Sequence, residues 1–196
     1  IDLLKNICYN DYSKIRFGGC LMLQLYDLKI DHNPAPDLVL THGIRFSWKM
    51  KSERENVMQK TFRVTICKEN EIVFDSDTVE SEQSCDISFD ELFLQPATEY
   101  VWNLCVKDNH ERTAVASLPF RTELYADMWQ AQWITPADCT ISWAPYLRKK
   151  FDAKANVRRA VLYACGLGCA EYYINGKKVA DDYIDPPMTN YEKEIL

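Results

Sequence analysis

Three groups of residues have the types and spacing from which chemistry is built. Asp181, Asp182 and Asp185 cluster just behind an Asn-Gly pair. Carboxylate-rich loops bind Ca²⁺, so these three are candidate ligands for calcium or for carbohydrate, with a solvated loop as the competing and favoured reading because the EF-hand spacing and its Gly are missing. Cys165 and Cys169 have a spacing seen in some zinc sites. No second Cys/His pair follows them, so no metal is assigned. Gly166-Leu167-Gly168 has the look of a phosphate loop, but such a loop joins a strand to a helix whose N-terminus holds the anion. Here the pair leads into another strand pattern, and a tight bend between strands is the better reading. His32, His42 and His110 are far apart, and none sits beside a nucleophile. None of the three is given a catalytic role.

The elements that must position these residues are short strands. Asn175-Gly176 lies between two apolar-alternating runs, the strongest short-range signal for a hairpin, because both residues tolerate the positive φ of a type I′ turn. Upstream, Ile44, Phe46 and Trp48 alternate with Arg45, Ser47 and Lys49, and Phe62, Val64 and Ile66 repeat the pattern. Strands are also expected over residues 21–30, 85–89, 100–106 and 114–122. The spacing predicts an all-β chain whose first part is an antiparallel sandwich. Leu94-Gln95-Pro96-Ala97-Thr98-Glu99-Tyr100 reads as the approach to a tyrosine corner, with Trp48 as the core aromatic. This makes residues 22–124 an immunoglobulin/fibronectin type III-like sandwich. Residues 1–21 form an N-terminal extension with the apolar spacing of a short helix. Trp129 and Trp133 belong to an extended strap that ends at Pro136. Beyond it, residues 144–151, 157–164 and the hairpin make a second, partial sandwich over 125–196.

Composition narrows the function classes. The chain has 196 residues, 47% hydrophobic and 27% charged, with a formal net charge of -6. That balance argues against nucleic-acid binding, which needs clustered Lys and Arg. No apolar run approaches the roughly 18 residues of a membrane-spanning helix. The eight cysteines are scattered, several in strand-like apolar runs, which favours reduced thiols in a cytoplasmic setting. The N-terminal stretch lacks the basic start and apolar core of a secretory signal.

Four motifs in order then carry a resemblance: Trp129-Gln130-Ala131-Gln132-Trp133-Ile134, Leu147-Arg148-Lys149-Lys150-Phe151, Gly166 through Val179, and Pro187-Met188-Thr189-Asn190-Tyr191. Together they resemble the N-terminal, jelly-roll-like β-sandwich of bacterial α-L-rhamnosidases, and the fibronectin-like module is one that such enzymes often carry ahead of it. Cys169-Ala170 and Met188 depart from the aromatic or bulky residues more usual at those places. The resemblance implies a glycoside hydrolase that removes terminal α-L-rhamnose with inversion, acting on rhamnose-containing carbohydrate. An inverting pair of carboxylates stands about 6.5–9.5 Å apart. In the family that pair lies on a helical barrel well downstream, so this chain is expected to be an inactive, non-catalytic N-terminal part. Some rhamnosidase-associated sandwiches bind rhamnose with calcium, which keeps the aspartate cluster in view; no other cofactor is expected. A homodimer braced by the sandwich stays open, as does a stand-alone carbohydrate-binding or structural module.

Overall fold

A computed structural model describes residues 23–137, 144–153, 156–157 and 160–179. The expected N-terminal helix and the three aspartates lie outside these residues. The chain divides between Trp133 and Ile134 into two units. Among the described residues there is no α-helix, and no helix is long and apolar enough to cross a membrane.

The first unit is an antiparallel sandwich. One layer pairs β1 (Leu23–Ile30) with β2 (Phe46–Ser52), and the other is a five-stranded sheet. Its path runs β4 (Glu71–Asp75), β3 (Gln59–Lys68), β6 (Glu99–Asp108) and β7 (Thr113–Arg121), with β5 (Val79–Glu80) also on β3. Phe62, Val64 and Ile66 of β3 and Trp102, Leu104 and Val106 of β6 are buried, as alternation requires when one face of a sheet is covered. Aromatic rings join the layers. Phe46 lies 4.9 Å from Trp102 between ring centroids, and Trp48 meets Phe62 edge-on at 5.1 Å. Burying side chains of the size of Phe46, Ile66 and Leu104 stabilises the fold by roughly 1.5–3 kcal/mol each. Trp48 and Trp102 are both core residues, so packing is their role.

The expected strand at 85–89 does not form. Residues 84–87 run beside β2, but only Phe46 and Ile87 make a bridge. The cause is local: Asp86 has a φ of 53°, incompatible with an extended strand, and its N–H donates to the Ser47 hydroxyl instead of to a ladder carbonyl.

Pro119 sits inside β7 opposite Val101 of β6. Having no N–H, Pro119 cannot donate to β6, so its pair is of the non-hydrogen-bonded kind. Every second pair shares that parity, including Asn103 with Ser117 and Glu99 with Arg121. In such pairs side chains approach closely. Accordingly Ser117 Oγ donates to Asn103 Oδ1 at 2.7 Å, and Arg121 forms an ion pair with Glu99. The outward backbone of Arg121 is taken up by residues 36–39: Val39 N–H donates to the Arg121 carbonyl at 2.9 Å.

In the second unit, β8 (Tyr173–Ile174) and β9 (Lys177–Lys178) form the expected hairpin. Asn175 and Gly176 have φ of 51° and 77°, the two positive values of a type I′ turn. Gly168, with φ 91°, makes the expected bend. The strands expected over 144–151 and 157–164 have no ladder among the described residues; Tyr146 is fully exposed and Phe151 is 75% exposed. A strand exists only with a partner, and only the hairpin carries its own in the adjoining segment.

Candidate functional site

The residue types that bind ligands come together on the outer face of the five-stranded sheet. Four of them lie in one cross-strand row. Thr61 of β3 is opposite Glu80 of β5 on one side and Lys107 of β6 on the other, and Lys107 is opposite Thr113 of β7. Arg63 and Cys105 are paired in the next row. Strict alternation puts these side chains opposite the buried Phe62, Val64 and Val106. A register shift between Gln59 and Thr61 adds Lys60 as an extra residue in β3. Such a bulge re-aims its side chain, and Lys60 reaches Glu111, the same carboxylate that Lys107 holds. With Thr78, these residues line an open groove of about 360 Å³.

Each cation here has a carboxylate. Lys60 Nζ is 2.9 Å from Glu111, and Lys107 pairs with the other oxygen of the same group. Lys107, then Lys60, holds the Glu111 carboxyl down at about 2. Arg63 Nε donates to Asp75 at 2.7 Å, which keeps the Asp75 carboxyl below its usual value and the guanidinium above its own. Burial pushes the Cys105 thiol up, against the pull of Arg63, so Cys105 stays a thiol at neutral pH and is a poor nucleophile. The face thus offers threonine hydroxyls, ammonium donors and a carboxylate acceptor, suited to holding a polar molecule.

Of the residues singled out in the sequence, Asp181, Asp182 and Asp185 lie outside the described residues, and their proposed role rests on sequence alone. Among the described residues, no group of three His, Cys, Asp or Glu side chains is placed to hold a metal ion. His42 stacks on Phe93, His32 is 3.5 Å from Asp86, and the backbone N–H of His110 donates to Asp108 at 2.9 Å. On the hairpin, Glu171 accepts from Tyr173 OH at 2.6 Å and from Lys178 Nζ at 2.9 Å, so Tyr173 and then Lys178 lower its pKa. The groove was not legible in the sequence. Thr61, Glu80, Lys107 and Thr113 are scattered over four strands, and only the register makes them neighbours.

Two stacked antiparallel layers, an aromatic core and a tyrosine corner, in which Gln95 N–H donates to the Tyr100 hydroxyl, define an immunoglobulin-like sandwich followed by a further β unit. Residues 25–125 match the Rha78A-like N-terminal immunoglobulin domain, and the chain belongs to that family. Residues 155–196 match the α-L-rhamnosidase N-terminal domain. An α-L-rhamnosidase of Formosa agariphila is 28% identical over 76% of this chain, and one of Alteromonas sp. is 25% identical over 77%. This chain spans about 19% of the length of each. Among solved structures, the α-L-rhamnosidase of Dictyoglumus thermophilum superposes over 87% of this chain and 22% of its own, with a TM-score of 0.75 and 27% identity. The Streptomyces avermitilis α-L-rhamnosidase complexed with L-rhamnose covers 59% of this chain and 12% of its own, with a TM-score of 0.53 and 26% identity.

Proposed function

We propose that this chain is the non-catalytic N-terminal part of an α-L-rhamnosidase, a glycoside hydrolase that removes terminal α-L-rhamnose from glycosides or polysaccharides with inversion. The observation that carries the reading is the order of the two matches: an immunoglobulin domain at 25–125, then an α-L-rhamnosidase N-terminal domain at 155–196. Relatives of that name extend over about five times this length, which leaves room for a catalytic acid and base elsewhere. The module boundaries we assign are 22–124 and 125–196. Hydrogen bonds from Ala97 N–H to the Glu123 carbonyl and from Glu123 N–H to Val39 support the first, since they fasten the exit of β7 to the sandwich. A cytoplasmic location is proposed from the sequence alone, on the scatter of its cysteines.

The test compares the purified chain with the full-length gene product on 4-nitrophenyl α-L-rhamnoside. The chain alone is expected to release no 4-nitrophenol, and the full-length product to turn over. Turnover by the chain alone overturns the placement of the catalytic groups. A full-length product inert on rhamnosides favours the stand-alone module instead.

A further inference from the structure

We propose that the groove over β5, β3, β6 and β7 is a binding subsite for a neutral saccharide. The first argument is charge. Lys60, Arg63, Lys107 and Glu80 line the groove, and the three cations are joined in the ion pairs described above to Glu111 and Asp75 outside its lining. For a phosphate or sulfate, Glu111 and Asp75 already offset the charge of Lys60, Lys107 and Arg63, and the carboxylate of Glu80, unpaired among the described residues, would repel it. A neutral polyol leaves every pair in place.

The second argument is the arrangement of hydrogen-bonding groups. Sugar hydroxyls both donate and accept. The row Glu80–Thr61–Lys107–Thr113 presents an acceptor, a hydroxyl, a donor and a hydroxyl in sequence across the strands. Neighbouring strands are about 4.8 Å apart, comparable with the spacing of hydroxyls across a pyranose ring. The two lysines are held in advance. Lys107 and Lys60 are both fixed on Glu111, so their ordering is not left to binding. The volume, about 360 Å³, lies at the small end of ligand pockets, which run from roughly 300 to 1,000 Å³. The open shape fits one or two sugar rings laid along the sheet. That the sugar is a rhamnoside rests on the function proposed above; that it is a neutral sugar rests on the groove.

The experiment is a ¹⁵N–¹H titration of the whole chain with methyl α-L-rhamnoside, methyl α-D-glucoside and inorganic phosphate in parallel. Saturable shifts of the Thr61, Lys107 and Thr113 amides with the rhamnoside are expected, and no such shifts with phosphate. Thr113→Trp, which fills the groove from an exposed edge-strand position, and Lys107→Met, which keeps the stem but removes the donor, are each expected to weaken binding by about tenfold or more. Unchanged spectra for the core amides of Trp102 and Leu104 establish that both variants fold. If only the glucoside shifts these amides, the groove stands and the rhamnoside assignment falls. Shifts confined to residues elsewhere, response to phosphate alone, or no response to either sugar overturns the subsite.

Discussion

The indole N–H of Trp48 donates to the side-chain carbonyl of Gln59 at 2.9 Å, joining the two layers of the sandwich through a buried hydrogen bond. The Gln59 amide is itself fixed, donating to the carbonyls of Ser81 at 2.9 Å and Gln83 at 2.8 Å. Gln59 therefore satisfies the one polar atom of a core tryptophan and ties down the loop beyond β5. Gln59→Leu leaves the indole N–H and two carbonyls without this partner. It is expected to destabilise the first unit by about 1–3 kcal/mol in urea unfolding. Trp48→Phe removes the donor but keeps an aromatic ring. A Trp48→Phe, Gln59→Leu double variant is expected to lose less than the sum of the two single losses, because both act on the same bond.

Asp108 is expected to set the acid limit of the sandwich. Its side chain is fully buried and accepts from the N–H groups of His110 and Arg112, both at 2.9 Å, and from Arg112 Nε at 2.8 Å. Burial alone pushes its pKa up, but the Arg112 and His110 donors together outweigh this and hold it below the ordinary 3.8. A depressed carboxyl stabilises the fold fully above its unfolded value, and that stability is lost as pH falls through the lower folded value. Glu111 adds a second, solvent-screened contribution between 4.5 and about 2. The urea midpoint is expected to hold near pH 6 and to fall below about pH 4. Asp108→Asn is expected to cost about 1.5–3 kcal/mol near neutrality and to flatten the acid limb. An acid limb as steep as that of the unsubstituted chain would show that another carboxylate controls it.

The hairpin turn in the second unit depends on backbone freedom at one residue. Gly176 has φ 77°, and a Cβ there meets nothing within 4 Å, so the obstacle to a side chain is conformational. Gly176→Val is expected to cost about 1–2 kcal/mol at that position and to weaken the cross-strand NOE between Tyr173 and Lys178. Asn175→Gly should leave that NOE in place, since Gly adopts the same φ freely.

Much of the fold was legible because its causes are local. Alternation placed β2 and β3, short strand-like runs placed β1, β6 and β7, and Asn175-Gly176 placed the hairpin. Leu94 to Tyr100 announced the corner in which the Tyr100 hydroxyl now accepts from Gln95 N–H at 3.0 Å, five residues upstream. The misreading at 85–89 shows where pattern fails. Ile87 and Phe89 alternate correctly, but a single residue at positive φ, Asp86, cancels the ladder. β5 was missed because two residues carry no period. The groove was out of reach for another reason: Glu80, Thr61, Lys107 and Thr113 become a row only through three registers and a bulge, and none of these is a property of any one segment.

Pro119 has a consequence for how this sandwich behaves in a concentrated solution. The residues of β7 that share its parity, Thr113, Val115 and Ser117, turn their amides away from β6 and are exposed. Exposed strand edges are where neighbouring molecules add themselves and aggregation starts. Here that run is interrupted by a residue with no donor at Pro119 and closed at Arg121 by residues 36–39, so an invading strand meets three open positions and then a stop. The imino acid and the segment 36–39 together thus shorten the length of edge on which a second molecule could build.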